Sequence, residues 1–248
     1  MSLKVVSILR FFKHPVRPVM IGKLALVWYA AYFGAQENTN LPDAATTDTR
    51  LDERVPIDEQ AIYPYLFACL YLPSLGILLI DHLNDEQYNH AMLAFQKIIQ
   101  ESEKIFLKKP TRLKSRRQLT HPLTHLLQSI DGPTNCFPSL HVALVTLAYQ
   151  IIRDARTIEI QQIRAARESC IDICRATLKT RQHSIVDVIG GLALSDKIYS
   201  EFFEGTPEDL LGAILLELQP NELATAQSMI HDASDLLNLF ENLMAKFQ

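Results

Sequence analysis

The sequence predicts an all-α protein, and three observations lead to this prediction. The 248 residues contain only 8 glycines against 12 prolines. The apolar residues are mainly Leu, Ile and Ala, rather than the alternating Val and Thr of β-strands. Apolar residues also recur at helical spacing over several long stretches. We therefore expect a helical protein with one large domain, or one domain plus an appendage.

The first part of the chain predicts two apolar helices separated by a polar loop. Residues 1–20 have the pattern of an amphipathic entry segment, and residues 21–35 that of a buried helix. Residues 36–58 are rich in Asn, Thr and Asp, which is typical of a loop or lid. Residues 59–81 form the most apolar stretch, and we expect Pro73 to kink the helix they form.

The remainder of the chain predicts a succession of helices. A charged amphipathic helix is expected over 84–107, followed by helices over 138–152, over 157–179, and from His183 to about Phe203. Residues 206–209 then supply a cap residue, a proline and first-turn acids, which together predict another helix start.

These elements divide the chain into three parts. Residues 1–58 would hold the N-terminal helices and the polar loop, and residues 59–204 a helical core. Residues 205–248 would form an appended C-terminal helical hairpin.

Three residues carry the strongest chemical signal. His183 and Asp187 are four residues apart, which would place them on one face of a helix. A carboxylate there can hold one imidazole nitrogen and leave the other as a nucleophile or base. His141 is a second imidazole further upstream.

The segment around His141 predicts a site for an anion. Pro138 fits the first position of a helix, and Ser139 and His141 would then lie in the first turn. Free amides at a helix start attract anions of the size of phosphate.

Together, the two segments resemble the second and third motifs of the type 2 phosphatidic acid phosphatase superfamily. This superfamily includes lipid phosphatases, inositol phosphorylceramide synthases, soluble bacterial acid phosphatases and vanadium haloperoxidases. Residues 135–143 are similar to the second motif, with Leu140 where many members carry glycine. Residues 180–187, followed by Gly190-Gly191, resemble the third motif, most closely in the inositol phosphorylceramide synthase-like branch. The resemblance covers about residues 60–200.

The cationic positions of the motifs match less closely. The usual serine–arginine pair of the third motif would fall at Ala176-Thr177, so Arg181 is the expected substitute. The first motif, a lysine followed by six residues and an arginine–proline pair, fits Lys109 and Arg116 in spacing but lacks the proline. Arg112 is a competing assignment.

The resemblance implies a helical bundle of the phosphatidic acid phosphatase and vanadium haloperoxidase kind, with phosphate ester hydrolysis through a phosphohistidine. His183 would attack phosphorus, Asp187 would fix and stabilise its ring, and His141 would protonate the leaving oxygen and later activate water. No metal or other cofactor is implied. A phosphoryl group needs cations and polar donors, and those expected to bind it are Arg181, Ser139, Lys109, Arg116 and Arg112.

The apolar stretches at 21–35 and 62–80 favour a small phosphorylated substrate with an apolar tail, such as a prenyl diphosphate or a lipid phosphate. Three alternatives stay open. One is a phosphotransferase that uses an alcohol acceptor, as inositol phosphorylceramide synthases do. Another is a non-catalytic interaction protein in which 205–248 is the working part and the site a remnant. The third is a vanadate-dependent haloperoxidase.

Charge and cysteine usage exclude other classes. The net charge is −4 and no long basic block occurs, so we expect no nucleic-acid partner. The four cysteines form no CxxC pair, which argues against a zinc site or a thioredoxin-like motif.

Residues 62–80 carry no charge and are long enough to be a candidate membrane span. The helices over 84–107 and 157–179, however, carry charges that would each cost about 2.5–3.5 kcal/mol at mid-bilayer. The N-terminus lacks the long apolar core of a secretory signal. We therefore expect a cytoplasmic protein, soluble or in peripheral contact with a membrane. The alternative is an integral membrane protein with those two helices outside the bilayer.

Overall fold

The computed structural model describes residues 14–38, 44–49, 51–113, 120–132 and 134–216. This part of the chain is almost entirely helical, which confirms the all-α prediction. In chain order its α-helices are α1 (Val16–Asn38), α2 (Ile62–His82), α3 (Asp85–Lys108), α4 (Pro122–Ile130), α5 (Leu140–Asp154), α6 (Ile160–Lys179), α7 (Ile185–Phe202) and α8 (Leu211–Leu216).

Helix α5 is the centre of the bundle. Its residues from Val142 to Ile152 are all buried, because other helices cover it on every side. Helices α2, α3, α6 and α7 pack around it. Helices α3 and α6 instead bury one apolar face each and turn their charged faces to solvent, as their amphipathic sequences predict.

Two glycines allow α7 to approach the start of α5 closely. A Cβ atom at Gly191 would lie 2.6 Å from the carbonyl oxygen of Ser139 and 2.8 Å from Cβ of Val142. A Cβ atom at Gly190 would collide with the ring of Phe137. The Gly190-Gly191 pair therefore brings the beginnings of α5 and α7 together, and both predicted histidines lie at this junction.

A short parallel pairing ties the polar loop to the bundle. Strand β1 (Ala45–Thr46) pairs with β2 (Thr111–Arg112), in the register Ala45 with Thr111 and Thr46 with Arg112. Two 3₁₀ turns, Asp52–Arg54 and Glu59–Ala61, follow β1 and lead into α2. Neither these strands nor helix α4 was predicted from the sequence.

Helices α1 and α2 are far more exposed than their apolar sequences predict. The stretches Val16–Gln36 and Glu59–Ile80 are long and apolar enough to cross a membrane, and only 11% and 35% of their windows are buried. The prediction of a buried helix over 21–35 is therefore wrong: Leu26 is 71% and Tyr29 59% exposed. One face of each helix covers the bundle, and the other faces outward.

The chain after α7 folds back onto the bundle. The Glu208 carboxylate accepts hydrogen bonds from the Tyr149 hydroxyl and from Nε of Arg167, the latter at 2.7 Å. The helix predicted after residues 206–209 begins as α8. The rest of the predicted hairpin, from residue 217 onward, lies outside the described residues, as does the predicted entry segment up to residue 13.

Candidate active site

The turn between α6 and α7 fixes the backbone of His183. The carbonyl oxygen of Thr177 accepts hydrogen bonds from the amides of Gln182, at 3.0 Å, and His183, at 3.1 Å, while the Arg181 amide donates to Leu178 at 3.0 Å. This is a Schellman motif, in which the left-handed position is normally glycine. Here it is Arg181, with φ of 53°. A non-glycine residue costs about 1–2 kcal/mol in that conformation, so the surrounding contacts must hold it there.

Helix α7 begins two residues later than the sequence predicts. Ser184 is its N-cap: the Ser184 hydroxyl accepts from the Asp187 amide at 3.2 Å, and Oδ2 of Asp187 accepts from the Ser184 amide at 2.7 Å. This reciprocal capping box makes Ser184 the N-cap, so the helix begins at Ile185. His183 therefore lies in the turn, and the prediction that it shares a helix face with Asp187 is corrected.

The tautomer of His183 is set by a backbone carbonyl. Its Nδ1 lies 3.1 Å from the carbonyl oxygen of Cys136 and 3.7 Å from Oδ2 of Asp187. A carbonyl can only accept, so Nδ1 carries the proton and Nε2 keeps its lone pair. The sequence assigned this hydrogen bond to Asp187, but only Cys136 is within hydrogen-bond distance.

The Asp187 carboxylate is completely buried beside the imidazole. Its Oδ2 also accepts from the hydroxyl of Thr47 at 3.2 Å, while Oδ1 has no hydrogen-bond partner among the described residues. The negative charge is therefore held by the capping box and the loop after β1, 3.7 Å from His183. At this distance it can stabilise an imidazolium without accepting its proton.

The loop before α5 forms hydrogen bonds to strand β2 and to helix α7. The Phe137 amide donates to the hydroxyl of Thr111 at 2.9 Å, and the Ser139 amide donates to the carbonyl oxygen of Asp187 at 2.9 Å. Ser139 is the N-cap of α5, so Pro138 precedes the helix and does not occupy its first position as predicted. The helix starts after Ser139 because that hydroxyl accepts from the amide of Val142, at 3.4 Å.

The second histidine faces the first. The ring centroids of His141 and His183 are 6.2 Å apart, and the Tyr65 ring lies 4.9 Å from that of His141. Burial, and to a smaller extent the neighbouring His183, lower the pKa of His141 to about 4 against the opposing effect of the Asp131 carboxylate. Without a ligand, His141 is therefore neutral at physiological pH.

The predicted phosphate-binding cations are in different environments. The guanidinium of Arg181 is buried and donates to the carbonyl oxygens of Asp52 and Val55, so it holds the loop before α2. Lys109 is exposed at the end of α3. Arg112 lies in β2, bridged to Thr134, and its Nε is buried without a hydrogen-bond partner among the described residues.

Arg116 lies outside the described residues. Of the predicted phosphate-binding set, the fold thus brings Ser139 and Arg112 to the loop beside the histidines. All five assignments stay predictions.

Sequence reasoning did not single out Asp52, which holds the start of α7 from another part of the chain. Its Oδ1 accepts from the Ile185 amide at 2.7 Å, and its Oδ2 accepts from the amide and hydroxyl of Thr49 at 2.6 and 2.8 Å. Burial raises the pKa of Asp52; the hydrogen bonds lower it, and the charge on Asp187 raises it. Nothing in the local sequence marks this aspartate, because Ile185, the partner that links it to α7, is 133 residues away.

Asn135 is a second residue that the sequence did not indicate as functional. It is 2% exposed, adopts a φ of 58°, and neither its Nδ2 nor its Oδ1 has a hydrogen-bond partner among the described residues. Asparagine tolerates this left-handed conformation better than most residues. Its place directly before Cys136 was the one available signal.

An apolar cavity of about 230 Å³ reaches His141. It lies between α1, α2, α3 and α5, and His141 contributes to its lining. The polar junction of α5 and α7 is therefore continuous with an apolar space.

Within the described residues, no three His, Cys, Asp or Glu side chains are grouped so that they could hold a metal ion. Comparisons with protein-family models, with curated proteins and with solved structures gave no match to this chain. The assignment of function therefore depends on the residues of the site and their geometry.

Proposed function

We propose that this protein hydrolyses a phosphate monoester or diphosphate with a hydrophobic tail, through a phosphohistidine at His183. One observation carries the proposal. The Cys136 carbonyl holds Nδ1 of His183, which leaves Nε2 as a nucleophile, and a second imidazole lies 6.2 Å away between ring centroids. Because the two rings are this close, we assign both to the same phosphoryl group. The resemblance to type 2 phosphatidic acid phosphatases implies the same roles for His183 and His141.

The chemistry takes two steps. In the first step His141 takes up a proton when the charged substrate binds. Nε2 of His183 then bonds to phosphorus while the bond from phosphorus to the leaving oxygen breaks, and the His141 imidazolium gives that oxygen its proton. Water then attacks the phosphohistidine and gives a proton to His141, and the bond from phosphorus to His183 breaks. Inorganic phosphate leaves, and both histidines return to their starting states.

The surrounding charges suit this sequence. During the first step His183 becomes positive, and the Asp187 carboxylate at 3.7 Å stabilises that charge. We assign Arg112, which pairs with Thr134 in the loop before α5, and the hydroxyl of Ser139, the N-cap of that helix, to the oxygens of the reacting group. Arg181 acts indirectly in this proposal: it holds the turn that carries His183.

The cavity beside His141 suits the substrate's tail. Its lining is apolar apart from a few polar atoms, so it offers little to a free sugar or nucleotide phosphate. An apolar tail would displace water from the lining of the cavity and place the phosphorylated end of the substrate at the histidines.

The test is a phosphate-release screen over lipid phosphates, prenyl diphosphates and a small aryl phosphate, combined with acid-quench trapping. We expect release from the tailed substrates and an acid-labile phosphoryl group that peptide mass spectrometry assigns to His183. Addition of alcohol acceptors distinguishes the transferase alternative, which would form a new phosphate ester in place of inorganic phosphate. Absence of both release and labelling across the screen would refute the proposal and leave the interaction-protein alternative.

A further inference from the structure

The cavity is lined by His141 at one end and by Ile21 and Gly76 at the other. Tyr32 and His141 both line it, and the Tyr32 hydroxyl donates to Asp131, whose charge acts on His141. At the far end lie Ile21 and Gly76, where a Cβ atom at position 76 would be 3.3 Å from Cδ1 of Ile21. The cavity thus has a polar end and a narrow apolar end.

The two helices on its outer side give its length. Helix α1 runs from Ile21 at the narrow end to Tyr32 at the polar end. Helix α2 runs the opposite way, from Tyr65, whose ring is 4.9 Å from His141, to Gly76. Each path spans eleven steps from residue to residue, which at 1.5 Å per residue corresponds to about 16 Å.

The size of the cavity restricts what can fill it. Its volume of about 230 Å³ is below the roughly 300–1,000 Å³ of sites for drug-sized ligands. A space of this size suits one hydrocarbon chain better than two.

We propose that the cavity binds the single apolar chain of the substrate, with the phosphorylated end at His141, and that Gly76 and Ile21 limit the length of that chain. The orientation of the chain rests on the proposed phosphatase function. The substrate class is thereby narrowed to single-chain phosphates, such as alkyl or prenyl phosphates, and tails much longer than about 16 Å are disfavoured.

Gly76 offers a direct test because a larger side chain there must enter the cavity. Gly76→Leu would shorten the space, and Gly76→Ala would do so by a smaller step. Gly22 provides the matched control: it is also a helical glycine, on α1, and a Cβ atom there would meet nothing within 4 Å. Gly22→Leu therefore makes the same chemical change outside the cavity.

Binding can be followed without turnover. Trp28 is the single tryptophan of the chain and lines the cavity. We would titrate the 248-residue protein with non-hydrolysable alkyl phosphonates of graded length, each brominated at the chain end, and record quenching of Trp28 fluorescence. The wild-type protein should bind more tightly as the chain lengthens up to about 16 Å, and no more tightly beyond that length.

Gly76→Leu should lower the affinity for the longest well-bound chain about tenfold and move the optimum to shorter chains. Gly76→Ala should shift it in the same direction by less, and Gly22→Leu should not shift it. Identical length profiles in all four proteins would overturn the proposal, as would the lack of quenching by every single-chain phosphonate. If Gly76→Leu does not fold, as judged by its thermal melt, the Gly76→Ala profile decides.

The two proposals fail separately. Quenching with a length optimum that responds to Gly76, but no phosphate release from any substrate, would keep the tail site and refute the phosphatase. Phosphate release from a small aryl phosphate, with no length dependence for tailed ligands, would keep the phosphatase and refute the tail site.

Discussion

Nδ1 of His183 lies 3.1 Å from the backbone carbonyl oxygen of Cys136, a residue 47 positions earlier in the chain. A backbone acceptor cannot lose its hydrogen-bonding role by protonation or substitution of a side chain. The backbone therefore fixes the His183 tautomer that leaves Nε2 free, and this tautomer is kept as long as the starts of α5 and α7 stay packed together. Asp187 contributes charge to the same imidazole and not the orienting hydrogen bond.

The first prediction concerns His183. His183→Ala should lower phosphate release by at least about a thousandfold, because no other group replaces the nucleophile. The fold should persist, since the imidazole makes one described hydrogen bond, to Cys136. Steady-state kinetics and a thermal melt would measure both effects. His90→Ala, at an exposed position on α3, is the control and should retain activity. Near wild-type release by His183→Ala would refute the mechanism.

The second prediction concerns the proton on His141. Its pKa of about 4 should rise when an oxyanion binds beside it, because negative charge favours the imidazolium. The bound state then holds more protons than the free state, so affinity should weaken as pH rises through the bound pKa. Calorimetric titration with vanadate at about pH 6, in buffers of different ionisation enthalpy, should detect proton uptake. His141→Ala should abolish that uptake; unchanged uptake would exclude His141 as the acid.

The third prediction concerns Asp52. Asp52→Ala should lower the free energy of unfolding by about 1–3 kcal/mol, because the amides of Ile185 and Thr49 lose their acceptor. It should also lower activity, since the turn that carries His183 loosens. Urea denaturation and kinetics would measure the two effects.

The pH dependence gives Asp52 a second test. Its folded-state pKa is raised, so the native protein takes up this proton more readily than the unfolded chain. The contribution of Asp52 to the free energy of unfolding should therefore increase as pH falls through the raised pKa, and be lost as pH rises. Asp52→Asn should remove that part of the slope, while Glu86→Gln, at an exposed carboxylate, should not. Equal slopes in all three proteins would contradict the assignment.

The fourth prediction concerns the glycine that brings α7 against α5. Gly191→Ala should lower the free energy of unfolding by about 1–3 kcal/mol, because its Cβ atom would lie 2.6 Å from the Ser139 carbonyl oxygen. Activity should fall as well, since the two histidines are carried by these helix starts. Gly34→Ala on α1 meets nothing within 4 Å, so it should be neutral or mildly stabilising. Equal effects of the two substitutions in chemical denaturation would argue against this close approach.

The fifth prediction concerns the outward faces of α1 and α2. Their exposed apolar residues favour contact with a lipid surface, since their burial there is worth about 1.5–3 kcal/mol per large side chain. The chain should cosediment with phospholipid vesicles. Leu26→Glu with Tyr29→Glu should reduce the bound fraction about tenfold or more, whereas Leu107→Glu, at an equally exposed position on α3, should not. Complete recovery of the unaltered chain in the supernatant would exclude membrane contact.

The sequence predicted the helices whose signals are local. The apolar residues of α3, α5 and α6 recur at helical spacing, so each segment predicts its own helix. Errors arose where a single N-cap residue decides where a helix begins. Ser139 and Ser184 are the N-caps of α5 and α7, and each lies one residue after the predicted helix start. The burial of α1 could not be predicted, because it depends on how much surface of the bundle the other helices leave uncovered.

The sequence by itself determined the chemical composition of the candidate site: two histidines, one aspartate and nearby cations in motifs that resemble a phosphatase family. Only the tertiary structure decided how these groups are held. Cys136 contacts His183, Thr47 contacts Asp187 and Asp52 contacts Ile185, each across dozens of residues, so no local pattern encodes these contacts. Residue types are a property of the chain, whereas distances between groups far apart in sequence exist only after the helices have packed, and the geometry of a reactive site consists of such distances.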